Sequence, residues 1–110
     1  MTETAERVFQ PLCRLDSLTP HQPAGVLTPA GERLCVVSDG EQAIAFADVC
    51  PHRGHPLSEG ECAGGVLRCA LHGWEFSLDD GSAVSPASPF GLDLRATRVT
   101  EDGMLEVEDA

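Results

Sequence analysis

The chain has 110 residues and a formal net charge of −11. That length suits one domain with a modest core, and no apolar run is long enough to span a membrane. The acidity disfavours nucleic acid and anionic lipid as partners, leaving solubility or attraction to a basic surface as its meaning.

Eight Pro and eleven Gly are scattered along the chain, which favours short strands and turns over long helices. Phe9–Leu12 reads as a first edge strand. From Asp16-Ser17-Leu18 to Gln22-Pro23-Ala24-Gly25 the chain reads as a turn-rich connection. Arg33–Val37 is a β-type run that ends in Ser38-Asp39-Gly40-Glu41. Asp39-Gly40 is a hairpin signal, and Ala43–Val49 returns as the partner strand, running straight into Cys50. Beyond His52 the chain reads as loop through Glu61, with one short turn. Val66–Cys69 and Trp74–Leu78 read as strands, the second placing Trp74, Phe76 and Leu78 on one face. Asp79-Asp80-Gly81 turns into Ser82–Val84. Leu92–Val99 alternates imperfectly as one strand, and Asp102-Gly103 turns into Met104–Val107.

The expected fold is all-β, a small antiparallel β-sandwich or barrel of about eight to ten strands. Residues 1–110 read as a single domain with no repeat, low-complexity segment or linker. A smaller metal-bearing subdomain is expected near residues 48–88.

Two motifs stand out. Cys50-Pro51-His52 is C-x-H, and Cys69-Ala70-Leu71-His72 is C-x-x-H. Each pair is followed by a glycine, Gly54 or Gly73, in a loop that follows a predicted strand. Either motif alone is weak; together they are specific. A single tetrahedral metal usually takes wider ligand pairs, and C-x-H is tight for one ion. The spacing suits two loops closing over a binuclear cluster. A zinc site of two Cys and two His is the alternative.

Cys-Pro-His-Arg-Gly together with Cys-Ala-Leu-His-Gly-Trp-Glu-Phe resembles the Rieske-type ferredoxins and the Rieske domains of ring-hydroxylating oxygenases. The resemblance is sharp over residues 48–86 and loose elsewhere. It implies one Rieske [2Fe–2S] cluster per chain, with Cys50 and Cys69 on one iron and His52 and His72 on the other. It also implies roles around the cluster. Gly54 and Gly73 let backbone approach and supply N–H donors to the sulfurs. Trp74 and Phe76 are either shield or ordinary core, and Ser85-Pro86-Ala87 matches the proline loop that covers the cluster. Two departures matter. His55 and Leu71 stand where respiratory members carry a bridging cysteine pair. Trp74 and Phe76 stand where those members place Ser and Tyr hydroxyls. Fewer hydrogen bonds to the sulfurs imply a potential toward the low end of the Rieske range, roughly −150 to +300 mV.

The implied function is a low-potential electron carrier rather than an enzyme in itself. Its implied partners are a flavin-containing ferredoxin reductase and a terminal oxygenase, an aromatic ring-hydroxylating dioxygenase. The chain has no glycine-rich nucleotide motif and no separate two-His, one-carboxylate iron site. The alternative is a small Rieske-like subunit of a nitrite reductase or another oxidoreductase complex. A zinc-stabilised binding module is a third reading. The opening residues lack the apolar centre of a secretory signal, so the expected compartment is the cytoplasm, with thiols rather than disulfides. A monomer is expected, since no long apolar edge or heptad is evident.

Other candidates are weaker. Arg53 reads as a docking contact or a solvated charge, and His55 as a loop residue. His21 gives no signal, Cys35 reads as core, and Cys13 and Cys62 have no assignment. Glu59, Glu61, Asp79 and Asp80 flank the loops as an acidic rim or a solvated surface.

Overall fold

A computed structural model describes residues 8–51, 54–70 and 73–108. Among these the regular structure is antiparallel strand with two single 3-10 turns, Leu15–Ser17 and Leu57–Glu59. None of the described helices is long and apolar enough to cross a membrane.

The first sheet is built on the chain ends. Strands β1 (Phe9–Arg14) and β11 (Thr97–Val99) flank β12 (Met104–Glu108). β1 lies at the sheet's edge and bulges between Pro11 and Cys13, where a residue without an N–H is tolerated. The second sheet runs β10 (Leu94–Arg95), β4 (Ala43–Ala47), β3 (Arg33–Ser38) and β2 (Ala24–Leu27). The third is a five-stranded meander of β5 (Glu61–Ala63), β6 (Val66–Arg68), β7 (Glu75–Ser77), β8 (Ala83–Ser85) and β9 (Ala87–Ser88).

The β3–β4 hairpin is the middle layer. Successive strand side chains point to opposite faces, and β3 is apolar on both. Leu34 and Val36 pack with Ala43, Ala45, Leu105 and Val107 toward the first sheet. Cys35, Val37 and Phe46 pack with Leu67 and Phe76 toward the third. A strand covered on both faces reads as a continuous apolar run, which explains Leu34-Cys35-Val36-Val37. Cys35 is core, as expected. The hairpin turn is where Asp39-Gly40 predicts it. Asp39 Oδ1 accepts from the N–H groups of Glu41 and Gln42, at 2.8 and 2.9 Å, and Gly40 has φ +100°.

Three expectations need correction. Leu92–Val99 is two strands in two sheets. β10 pairs with β4 through Leu94↔Phe46, whereas β11 pairs with β12 through Thr97↔Val107. The chain changes sheets at Ala96, as strands do at the corners of packed sheets. The Thr97 hydroxyl holds that corner by donating to the Ala43 carbonyl at 2.7 Å. The connection through Gly25 contains β2, whose alternating half-buried and exposed residues pair with β3. The count of twelve strands among the described residues exceeds the expected eight to ten, because short β5 and β9 lack a readable alternation.

Candidate metal centre

Cys50 follows the end of β4 and Cys69 follows β6. Both are buried, at 1% and 2% exposure, and both belong to one cluster of buried side chains with Cys35, Leu57, Leu67 and Phe76. None of the five cysteines is in a disulfide. His52, Arg53, Leu71 and His72 lie outside the described residues.

The two loops share one design. The Cys50 N–H donates to the His55 carbonyl at 2.8 Å, and the Gly54 N–H donates back to the Cys50 carbonyl at 2.8 Å. In the second loop the Cys69 N–H donates to the Trp74 carbonyl at 2.8 Å, and the Gly73 N–H to the Cys69 carbonyl at 3.0 Å. Gly54 and Gly73 turn the chain back with φ +75° and +72°, a conformation that costs other residues about 1–2 kcal/mol. The two glycine amides donate within their own loops.

Gly60 brings the loops together. A Cβ on Gly60 would lie 2.1 Å from the Arg68 carbonyl oxygen, so only glycine lets the segment after the first loop press against the strand that leads into the second. Nothing in the sequence separates Gly60 from an ordinary turn glycine.

Trp74 is half-buried and packs with Leu78 against the buried cluster that contains Phe76. The Trp74 and Phe76 rings lie 6.3 Å apart, tilted by 36°, so the expected shared face holds. Pro86 is exposed at the β8–β9 turn, after a cis peptide bond from Ser85. Ser85 pairs with Glu75, the residue after Trp74.

The acidic rim divides. Glu59 and Glu61 line a crevice of about 540 Å³ with Arg68, Cys69 and Gly73. Asp79 and Asp80 turn the chain at the far end of β7, because the strand runs away from the loop. His55 is the loop residue expected, with its Nε2 3.1 Å from a Glu59 carboxylate oxygen.

A buried carboxylate stands beside the first loop. Asp48 Oδ1 accepts from the Ser58 N–H at 2.7 Å. Its Oδ2 accepts from the Ser58 hydroxyl and from Arg33 Nε, each at 2.7 Å. Burial alone would raise this carboxyl, but the Arg33 and Ser58 hydrogen bonds outweigh it and hold the group below its ordinary value. The sequence reading missed Asp48, Ser58 and Arg33, since no spacing rule links them.

Burial pushes Cys35 up, and pushes Cys62 up to about 11, so both stay protonated near neutral pH. Burial also raises Cys13.

Residues 8–91 match the Rieske [2Fe-2S] domain family, and the chain belongs to it. Among solved structures, an assigned NADH-dependent nitrite reductase small subunit from Mycobacterium tuberculosis is 26% identical with a TM-score of 0.81, over 96% of this chain and 98% of that one. The structure of reduced oxygenase with oxidised ferredoxin in carbazole 1,9a-dioxygenase gives 28% and 0.80, over 94% of both chains. The carnitine monooxygenase oxygenase subunit of Escherichia coli K12 is 44% identical over 55 residues, 48% of this chain. This chain spans only about 8% to 15% of the length of the curated relatives it matches.

Family membership implies a Rieske-type [2Fe–2S] cluster, typically one per chain. The described residues fit that group, because two buried thiols on matched loops belong to one cluster of buried side chains. When bound, such a cluster supplies one-electron redox chemistry.

Proposed function

We propose that this chain is an electron carrier that passes single electrons from a flavin-containing ferredoxin reductase to a terminal oxygenase, of the aromatic ring-hydroxylating kind. Cys50 and Cys69 are the thiolate ligands, and His52 and His72 the imidazole ligands. The supporting observation is the pair of matched loops, each closed by the same two hydrogen bonds around a buried cysteine. Residues 48–88 form the cluster-bearing part, with Trp74 on its flank and Pro86 as its cover.

The residues divide the work. The loop hydrogen bonds hold each cysteine backbone in place. Cys35 and Cys62 remain thiols and do not compete as ligands. The net charge of −11 favours a basic docking surface on the partner and an association rate that falls with salt.

The test is the absorption spectrum of the air-oxidised protein and the low-temperature EPR spectrum after dithionite reduction. A red-brown protein with a rhombic signal of low average g is expected, and its reduction by a ferredoxin reductase follows in stopped flow. A colourless, EPR-silent protein after anaerobic reconstitution overturns the reading.

The near full-length likeness to the nitrite reductase small subunit favours a second reading, a dedicated subunit of an oxidoreductase complex. Stable co-purification with a large subunit selects it over a freely diffusing carrier.

A further inference from the structure

The two loops are framed differently. Strands β6 and β7 pair at Arg68↔Glu75, directly outside Cys69 and Trp74, so a hairpin ladder frames the second loop. Strand β4 pairs with β3 and β10 among the described residues, and the Asp48 N–H extends that pairing to the Arg33 carbonyl at 3.2 Å. From there to the Leu57–Glu59 turn no strand ladder joins the two ends of the first loop among the described residues. Asp48 and Ser58 stand at the two ends of that unframed segment, joined by two hydrogen bonds of 2.7 Å.

We propose that Asp48 is the positioning residue of the first ligand loop, a buried carboxylate that replaces the missing strand pair, with Arg33 balancing its charge. The proposal rests on the ligand assignment above. Three observations carry it. The Asp48 side chain is fully buried while that of Arg33 is 56% exposed. The carboxylate accepts from three donors on two elements. Gly25 of β2 leaves room for its two partners, since a Cβ there would lie 2.7 Å from Arg33 Nη2 and 3.1 Å from Ser58 Oγ. An apolar side chain fills such a site at lower desolvation cost than an ionised carboxylate. The carboxylate instead offers directional bonds that fix the loop two residues before Cys50.

The test uses the cluster-loaded protein and the variants Asp48→Asn, Arg33→Gln and Ser58→Ala. Thr97→Val is the control, since it removes a hydrogen bond at the opposite face of the middle layer. The readouts are midpoint potential, EPR g values and the rate of bleaching in excess chelator. Asp48→Asn removes an anion beside the site and raises the potential. Arg33→Gln leaves that anion unbalanced and lowers it. Ser58→Ala keeps the backbone donor, alters the g values slightly and bleaches a few-fold faster, while Asp48→Asn bleaches about tenfold faster, as loss of charge-assisted hydrogen bonds predicts. Thr97→Val lowers thermal stability and leaves potential and g values at wild type. Shifts of one sign in both charge variants, or wild-type potential and g values in both, overturn the proposal. If Asp48→Asn does not fold, the Arg33→Gln and Ser58→Ala results decide it by the same readouts. A wild-type protein without the rhombic signal fails the ligand assignment instead, which separates the two ideas.

Discussion

The two metal loops are alike inside and unlike outside. Inside, each binds its cysteine N–H and carbonyl in the same way and reverses at a glycine of φ near +70°. Outside, the second loop closes a β-hairpin, whereas a buried carboxylate and a hydroxyl hold the first. The likeness teaches that loop closure is local chemistry, carried by a cysteine and the glycine four residues on. The difference teaches that framing belongs to the fold around each loop. An antiparallel hairpin provides a frame through its ladder; a crossover between sheets has to find one in side chains.

The largest expected effects test the likeness. Cys50→Ala and Cys69→Ala should each abolish the visible absorption of the reconstituted protein. Loss from one variant and retention in the other breaks the symmetry. Gly60→Ala comes next, because a Cβ 2.1 Å from a backbone oxygen forces the loops apart. It should cost about 3 kcal/mol in denaturant unfolding, as overpacking does.

Asp48→Ala tests the difference. It removes three hydrogen bonds, but the exposed Arg33 regains water, so the charge pair is discounted for screening. A loss of about 2 kcal/mol is expected in denaturant unfolding. Among the described residues Asp48 is the one buried carboxylate, so no removal beside the second loop repeats this. Gly54→Ala and Gly73→Ala should each cost about 1–2 kcal/mol through positive φ. Gly73→Ala should be the more severe, since its Cβ meets the Arg68 guanidinium at 3.1 Å while none of the described residues lies within 4 Å at Gly54. Equal losses by thermal melting would show that Arg68 yields freely.

The smallest effect is on acid stability. The carboxyl of Asp48 is held below its ordinary 3.8, burial opposing and the Arg33 and Ser58 bonds prevailing. A depressed carboxyl contributes stability above the unfolded value and loses it as pH falls through the folded one. Melting temperature should therefore drop below about pH 4. Asp48→Asn should flatten that drop in melts of the cluster-free protein. An unchanged slope would assign the acid lability to the turn carboxylates, such as Asp39, which the Gln42 and Glu41 N–H groups hold low.

Much of the molecule is legible along the chain. Asp39-Gly40 and Asp102-Gly103 announce turns because few residues tolerate positive φ. Leu34 to Val37 announces a buried strand. The spacing of Cys50, Gly54, Cys69 and Gly73 announces two equivalent loops, since their closing bonds reach only four or five residues. What only the tertiary structure decided is non-local. Leu92–Val99 carries one alternation, yet its halves pair with different sheets, a choice set by which strands lie alongside. Gly60 reads as a turn until the Arg68 carbonyl is found against it. Asp48 reads as a strand-end charge until Arg33, 15 residues before it, and Ser58, 10 residues after it, converge on its carboxylate. Periodicity and steric preference act between near neighbours and are written in a few adjacent letters. A hydrogen bond between distant residues depends on where the whole chain has placed them.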